Sequence, residues 1–180
     1  MAEGVSIFID GANFFFALIA HGLDPHLNFN KLANKLCGGR GLRRIYYYDA
    51  AIPPEMDSER SKKQQGFFKS LDYLDYFEKR FGHMQQKTAH CSKCKSDYFV
   101  WVQKGVDVRL GVDLTAFAAR GFYATGIVVS GDGDLVHAIN SAKDFGAHIE
   151  LAYFDDRSRK LQTACDRFVA LTRDYLSDCY

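Results

Sequence analysis

Two aspartates, Asp132 and Asp134, stand one glycine apart at the end of the apolar run Val128-Val-Ser-Gly-Asp-Gly-Asp-Leu135. Carboxylates that close repel each other unless they are protonated, shared or neutralised. Asp10 closes a second apolar run, residues 5–9, and Asp107 and Asp113 lie in the segment 104–114 that leads into the first run. Five carboxylates from three segments could therefore converge, and a divalent metal is the simplest neutraliser for several of them at once. Oxygen ligands without His or Cys select Mg²⁺ or Mn²⁺ rather than Zn²⁺. The glycines flanking Asp132 would let backbone come close to an ion or a phosphate. Ordinary structural duties compete with this reading, since Asp after a strand is a common helix N-cap and Gly-Asp-Gly-Asp a common turn. The cap suits Asp134 best and stays open for Asp10 and Asp107. Asp113 resists it, because it sits among Leu110, Val112, Leu114 and Phe117, where an inward carboxylate needs a partner.

These residues act together only if the fold brings their segments to one place. Residues 5–9 read as a buried strand, followed by a polar break at 10–13 and an apolar helix. Leu27, Leu32 and Leu36 before a glycine stop mark a second helical stretch. The segment Leu-Arg-Arg-Ile-Tyr-Tyr-Tyr-Asp-Ala, ending just past Asp49, reads as a strand with Tyr46 to Tyr48 alternating in burial. Residues 58–82 suggest one long amphipathic helix with Phe67, Leu71, Leu74 and Phe77 or Phe81 inward. Residues 83–103 alternate around a Cys-x-x-Cys turn and suggest a β-hairpin. Beyond it come a helix, a strand at 124–130, a helix at 133–146, a strand at 147–154, and helix and turn over 158–176. Such alternation implies parallel strands joined by right-handed crossovers, an open α/β sheet. Ligands of open α/β sheets lie beyond the carboxyl ends of the strands, where Asp10, Asp132 and Asp134 would stand.

The chain has 180 residues, 47% of them hydrophobic, and a net charge of +1. That suits one domain over 1–180 with a Cys-x-x-Cys hairpin insertion at about 82–104, and gives no whole-molecule field to attract nucleic acid or membrane. The apolar start is interrupted by Asp10 and Asn13 and is too short to span a bilayer, so a soluble protein without membrane partners is expected. Five cysteines without regular spacing suit a reducing compartment, the cytoplasm by default. Glycine-rich nucleotide loops and a Gly-x-Ser-x-Gly nucleophile elbow are missing from the sequence. His90, Cys91 and Cys94, with His83 as a fourth donor, could hold Zn²⁺, but without a second cysteine pair a reduced turn is the plainer expectation.

The segments Phe8-Ile-Asp-Gly-Ala-Asn13, Lys104-Gly-Val-Asp-Val-Arg-Leu-Gly-Val-Asp-Leu114 and Val128 to Leu135, in that order, resemble the NYN domain family in its LabA-like branch. That family belongs with the PIN-like nucleases. The resemblance extends to Phe145-Gly-Ala-His-Ile-Glu-Leu-Ala-Tyr-Phe154, to Leu161-Gln-Thr-Ala-Cys-Asp-Arg-Phe-Val-Ala-Leu171 and to the Cys-x-x-Cys insertion itself. It implies a PIN-like, Rossmann-like three-layer α/β fold with a central mainly parallel sheet. It further implies a ribonuclease in which Mg²⁺ or Mn²⁺ activates water for phosphodiester hydrolysis. By motif, Asp10, Asp113 and Asp132 would be the catalytic core, Asp107 and Asp134 would complete the metal ligands, and Asn13 would support them.

The partner so implied is RNA, single-stranded by expectation, with a homodimer left open. Ser130, Lys104 and Arg109 are candidate phosphate contacts. Arg157 and Arg159, with Lys160, are the basic cluster best placed for RNA, ahead of Arg40, Arg43 and Arg44 and of Lys62 and Lys63. Two rivals remain at this level. One is an NYN module with weak or no turnover that binds RNA or a protein. The other is a haloacid-dehalogenase-like phosphatase, whose acid–base Asp would have to stand where Ala12 is.

Overall fold

The computed structural model of the chain describes residues 4–154 and 159–180. Its first strand, β1 (Val5–Asp10), is buried at every position. Ile7 and Ile9 point to one face and Phe8 to the other, as a two-residue period requires. A strand apolar on both faces must lie inside a sheet covered on both sides. The chain continues as α1 (Gly11–Ala20), α2 (Phe29–Cys37), β2 (Leu42–Ala50), α3 (Ser58–Leu71), β3 (Phe77–His90), β4 (Asp97–Lys104), α4 (Val106–Ala119) and β5 (Thr125–Val129). A 3₁₀ turn (Gly133–Leu135) then leads into α5 (Val136–Asp144), β6 (His148–Tyr153), α6 (Arg159–Ala164), β7 (Arg167–Ala170) and α7 (Arg173–Leu176).

The seven strands form one sheet in the order β4-β3-β2-β1-β5-β6-β7. All pairings are parallel except the antiparallel β3–β4 hairpin. One core, built on Ile7, Ile9, Tyr47, Phe14, Leu18, Leu32, Phe68 and Leu176, joins the sheet to α1, α2, α3 and α7. The other, built on Phe8, Tyr46, Tyr48, Leu110, Leu114, Ile139 and Leu161, joins it to α4, α5 and α6. This is the three-layer α/β architecture expected from the sequence. The strand order runs outward in both directions from β1, so β1 and β5 diverge to opposite crossovers and leave a crevice beyond their carboxyl ends. Among the described residues no helix is long and apolar enough to cross a membrane.

Three expectations change. The helix expected over 58–82 ends at Leu71, and residues 77–82 instead form the part of β3 that pairs in parallel with β2. Phe77 and Phe81 still pack against the first core, but a spacing of four satisfies a strand of period two as well as a helix. The break between them holds Tyr76 at a positive φ of 56°, a conformation that stops a helix. β7, four residues long and exposed at Arg167 and Phe168, falls inside the stretch read as helix and turn. So short an edge strand carries no periodicity to read. Finally, Tyr46, Tyr47 and Tyr48 do not alternate in burial; all three are buried, because β2 is an inner strand with a core on each face.

Candidate functional site

The crevice is built from three short segments. Asp10 ends β1 and caps α1, its Oδ1 accepting the Asn13 amide N–H at 3.1 Å. Its Oδ2 accepts the Ser130 hydroxyl at 3.1 Å, from the residue just after β5. The Ser130 Oγ in turn accepts the Asp132 N–H at 3.1 Å, and Asp132 Oδ1 accepts the Asp134 N–H at 2.9 Å. Asn13 closes the ring, its Oδ1 accepting the Gly131 N–H at 2.9 Å. The loop 130–134 is thus tied to the start of α1 by two side chains, and both aspartates reach it from strand ends that lie side by side, Ile9 pairing with Val129. From the other helical layer, Asp107 stands in the first turn of α4.

Burial raises the Asp10 carboxyl to about 6; the Asn13 and Ser130 bonds oppose that rise, while the charges of Asp107 and Asp132 add to it. Asp107 is also raised, by burial and then by Asp132 and Asp134. Four carboxylates therefore share one field. Among the described residues none of the four forms an ion pair, whereas Glu150, Glu78, Asp72 and Asp166 elsewhere all do. A set of hard oxygen donors that repel one another with no cation among them fits a divalent ion of the Mg²⁺ or Mn²⁺ class. Among the described residues, however, no three His, Cys, Asp or Glu side chains are already grouped closely enough to hold one ion. Binding would need side-chain adjustment, which is within reach of the more open Asp107, Asp132 and Asp134.

Asp113 is not brought into this group. It accepts the Tyr48 hydroxyl at 3.1 Å and lies 3.6 Å from Arg80 Nη1. Six residues beyond Asp107, it stands about 9 Å further along α4 and about 120° around it. The partner that an inward carboxylate demanded is thus supplied by β2 and β3, and the expectation that Asp10, Asp113 and Asp132 share one metal-sized pocket is corrected. The cap expected of Asp134 belongs to Asp132, whose carboxylate receives the N–H that opens the 3₁₀ turn. Asp107 caps nothing either: α4 starts from Gly105 without a side-chain cap.

The substrate candidates divide. The buried Ser130 hydroxyl is committed to Asp10 and the Asp132 amide, so it positions carboxylates rather than meeting a phosphate. Arg109 donates from Nη1 to the Phe81 carbonyl at 2.9 Å and braces α4 against β3. Lys104 ends β4 three residues before Asp107. Arg159 opens α6 and is exposed; its neighbour Lys160 passes Gly133, whose missing Cβ would lie 4.0 Å from the Lys160 Cδ. Arg157 lies outside the described residues. Arg40 and Arg44 pair with Glu150 and Glu78 at the amino end of the sheet, away from the crevice.

Among the described residues no three donors are grouped for Zn²⁺: His90 Nδ1 sits 2.8 Å from Asp97 and Cys94 Sγ 2.9 Å from the Ser96 hydroxyl. His83 lies seven strand residues from His90, about 24 Å away.

One residue escaped the sequence reading. Asp49, buried at the carboxyl end of β2, is raised to about 6 by burial, against bonds from the Ala50 amide and the Tyr47 hydroxyl. That same phenol lies beneath Gly11, where a Cβ would stand 2.4 Å from the ring. The available signal was its place at a strand end beside that of Asp10.

A model of the NYN domain family matches residues 4–172. No curated protein matches. Among solved structures, the crystal structure of a protein of unknown function from Vibrio parahaemolyticus is similar over 97% of this chain and 96% of that one, with a TM-score of 0.61 and 17% identity. At that identity the likeness shows the fold alone.

Proposed function

This chain belongs to the NYN domain family, and from that membership we propose that it is a single NYN domain of the LabA-like kind acting as a metal-dependent endoribonuclease on single-stranded RNA. The observation that carries the proposal is the mutual repulsion of Asp10, Asp107, Asp132 and Asp134 at the carboxyl edge, with no described cation paired to them. In this reading Asp10, Asp107 and Asp132 hold the ion, with Asp134 at the rim, and Asp113 is excluded. A bound Mg²⁺ or Mn²⁺ supplies Lewis-acid stabilisation of the charge that develops on the phosphate during hydrolysis.

The remaining work falls to the chain. Ser130 and Asn13 fix the loop 130–134 against the start of α1, so that the backbone carrying Asp132 stays beside Asp10. The buried Tyr47 supports the first turn of α1 from below. Arg159 and Lys160 offer cations to the RNA backbone beside Gly133, and Lys104 offers another beside Asp107.

The test is cleavage of labelled single-stranded RNA by the purified protein with Mg²⁺ or Mn²⁺, with EDTA as the control. Asp10→Asn and Asp132→Asn should abolish cleavage with circular dichroism unchanged, while Asp113→Asn keeps most of it. No cleavage across lengths and sequences, with RNA still bound, would replace this reading by that of a binding module.

A further inference from the structure

The β3–β4 hairpin does more than close the sheet. The pairing of β3 with β2 ends at Ala50 and Gly82, and Asp10 itself pairs with Tyr48, so from His83 onward the two strands have passed the carboxyl edge. Eight further pairs, His83 with Lys104 through His90 with Asp97, carry the ribbon about 26 Å beyond the crevice. Gly82 permits the exit: a Cβ there would lie 2.4 Å from the Lys104 carbonyl.

Little core is gained by this arm, since most of its residues are exposed. Its composition differs from that of the rest of the chain. Residues 83–104 hold four lysines, Lys87, Lys93, Lys95 and Lys104, against one carboxylate, Asp97, a net +3 in a protein of net +1. Among the described residues none of these lysines forms an ion pair, whereas Lys35, Lys63, Lys79 and Lys143 all do. Aromatic side chains accompany them: Tyr98, 51% exposed, shares a face of the ribbon with Lys87 and Lys104, while Phe99, 70% exposed, and half-buried Trp101 lie on the other face.

Unpaired cations close to exposed aromatic rings are what a single strand of nucleic acid binds, its phosphates meeting the lysines and its unstacked bases the rings. A duplex keeps its bases stacked and could use only the charges. We propose that the β3–β4 ribbon is a grip for single-stranded RNA that feeds the strand to the acidic crevice at its base. This rests on the ribonuclease reading for the direction of the strand, but not for the binding itself.

The test uses the full chain and a fluorescein-labelled 20-nucleotide oligouridine, with anisotropy followed in EDTA over a range of NaCl concentrations, so that cleavage plays no part. Lys87→Glu/Lys93→Glu/Lys95→Glu should weaken binding at least tenfold and lower the slope of log K against log[NaCl] by about 2, since each cation lost removes about 0.7. Tyr98→Ala/Phe99→Ala should weaken binding about tenfold and leave the slope unchanged, an effect absent with the RNA annealed to oligoadenosine. Melting temperatures equal to wild type would confirm that both variants fold. Unchanged affinity in both variants would overturn the proposal, as would a loss of self-association in sedimentation in place of a loss of RNA binding, which would make the ribbon a protein interface. Ribbon-dependent binding without any cleavage in Mn²⁺ would remove the nuclease reading and leave the grip standing.

Discussion

Replacing Asp10 by Asn should make the metal-free protein more stable while it destroys the site. In the unfolded chain Asp10 titrates at its ordinary 3.8, and in the fold at about 6. Between those values the folded state holds the extra proton, so its stability is full below about pH 4 and falls as pH rises through 6. At pH 7.5 the fold therefore carries the whole expense of an ionised buried carboxyl, two units at about 1.4 kcal/mol each, or about 3 kcal/mol. The Asn oxygen still accepts the Asn13 N–H and keeps the cap of α1, while the acceptor for the Ser130 hydroxyl is lost, at about 1 kcal/mol. The net gain at pH 7.5 is about 2 kcal/mol, a rise in melting temperature of roughly 4–8 °C for a chain of this size. It should vanish at pH 4, where Asp10 is protonated in the wild type. Urea unfolding in EDTA at the two pH values, followed by circular dichroism, measures it. If Asp10→Asn were instead less stable at pH 7.5, the ionised Asp10 carboxylate would be stabilising the fold rather than straining it, and the case for a strained acidic site would fail.

Other outcomes follow from the same contacts. Mn²⁺ should raise the melting temperature of the wild type and not that of Asp132→Asn, as a ligand bound only by the folded state requires. Asp113→Ala, which leaves the Tyr48 hydroxyl without its partner and Arg80 with Glu78 alone, should lower stability by about 1–3 kcal/mol in a urea titration yet keep the Mn²⁺ response. Gly11→Ala should cost about 2 kcal/mol or more by thermal melt, because the new Cβ meets the Tyr47 ring at 2.4 Å. Iodoacetamide at pH 7.5 should label Cys94 first, since its bonds with Ser96 and Cys91 lower the thiol to about 7, while burial pushes Cys165 up to about 12; peptide mass mapping reads the order.

Much of this protein is fixed locally and can be read from its residues in order. The apolar run of β1 broken by Asp10, the Asn28 cap and Gly38 stop of α2, and the alternation of strand and helix all follow from side-chain period and capping, which depend on near neighbours. The three motifs likewise marked five candidate aspartates, of which the fold brings Asp10, Asp107, Asp132 and Asp134 to one edge. Two things were decided only by the packing of distant segments. Phe77 and Phe81 satisfy helix and strand alike, and the free edge of β2 made them a strand. Asp107 and Asp113 are equivalent as letters in one helix, yet rotation along α4 turns one to the crevice and the other to Tyr48 and Arg80. A sequence shows that a buried carboxylate needs a partner. Which partner it finds depends on the angle at which its helix meets the sheet, a quantity that arises only when both are packed.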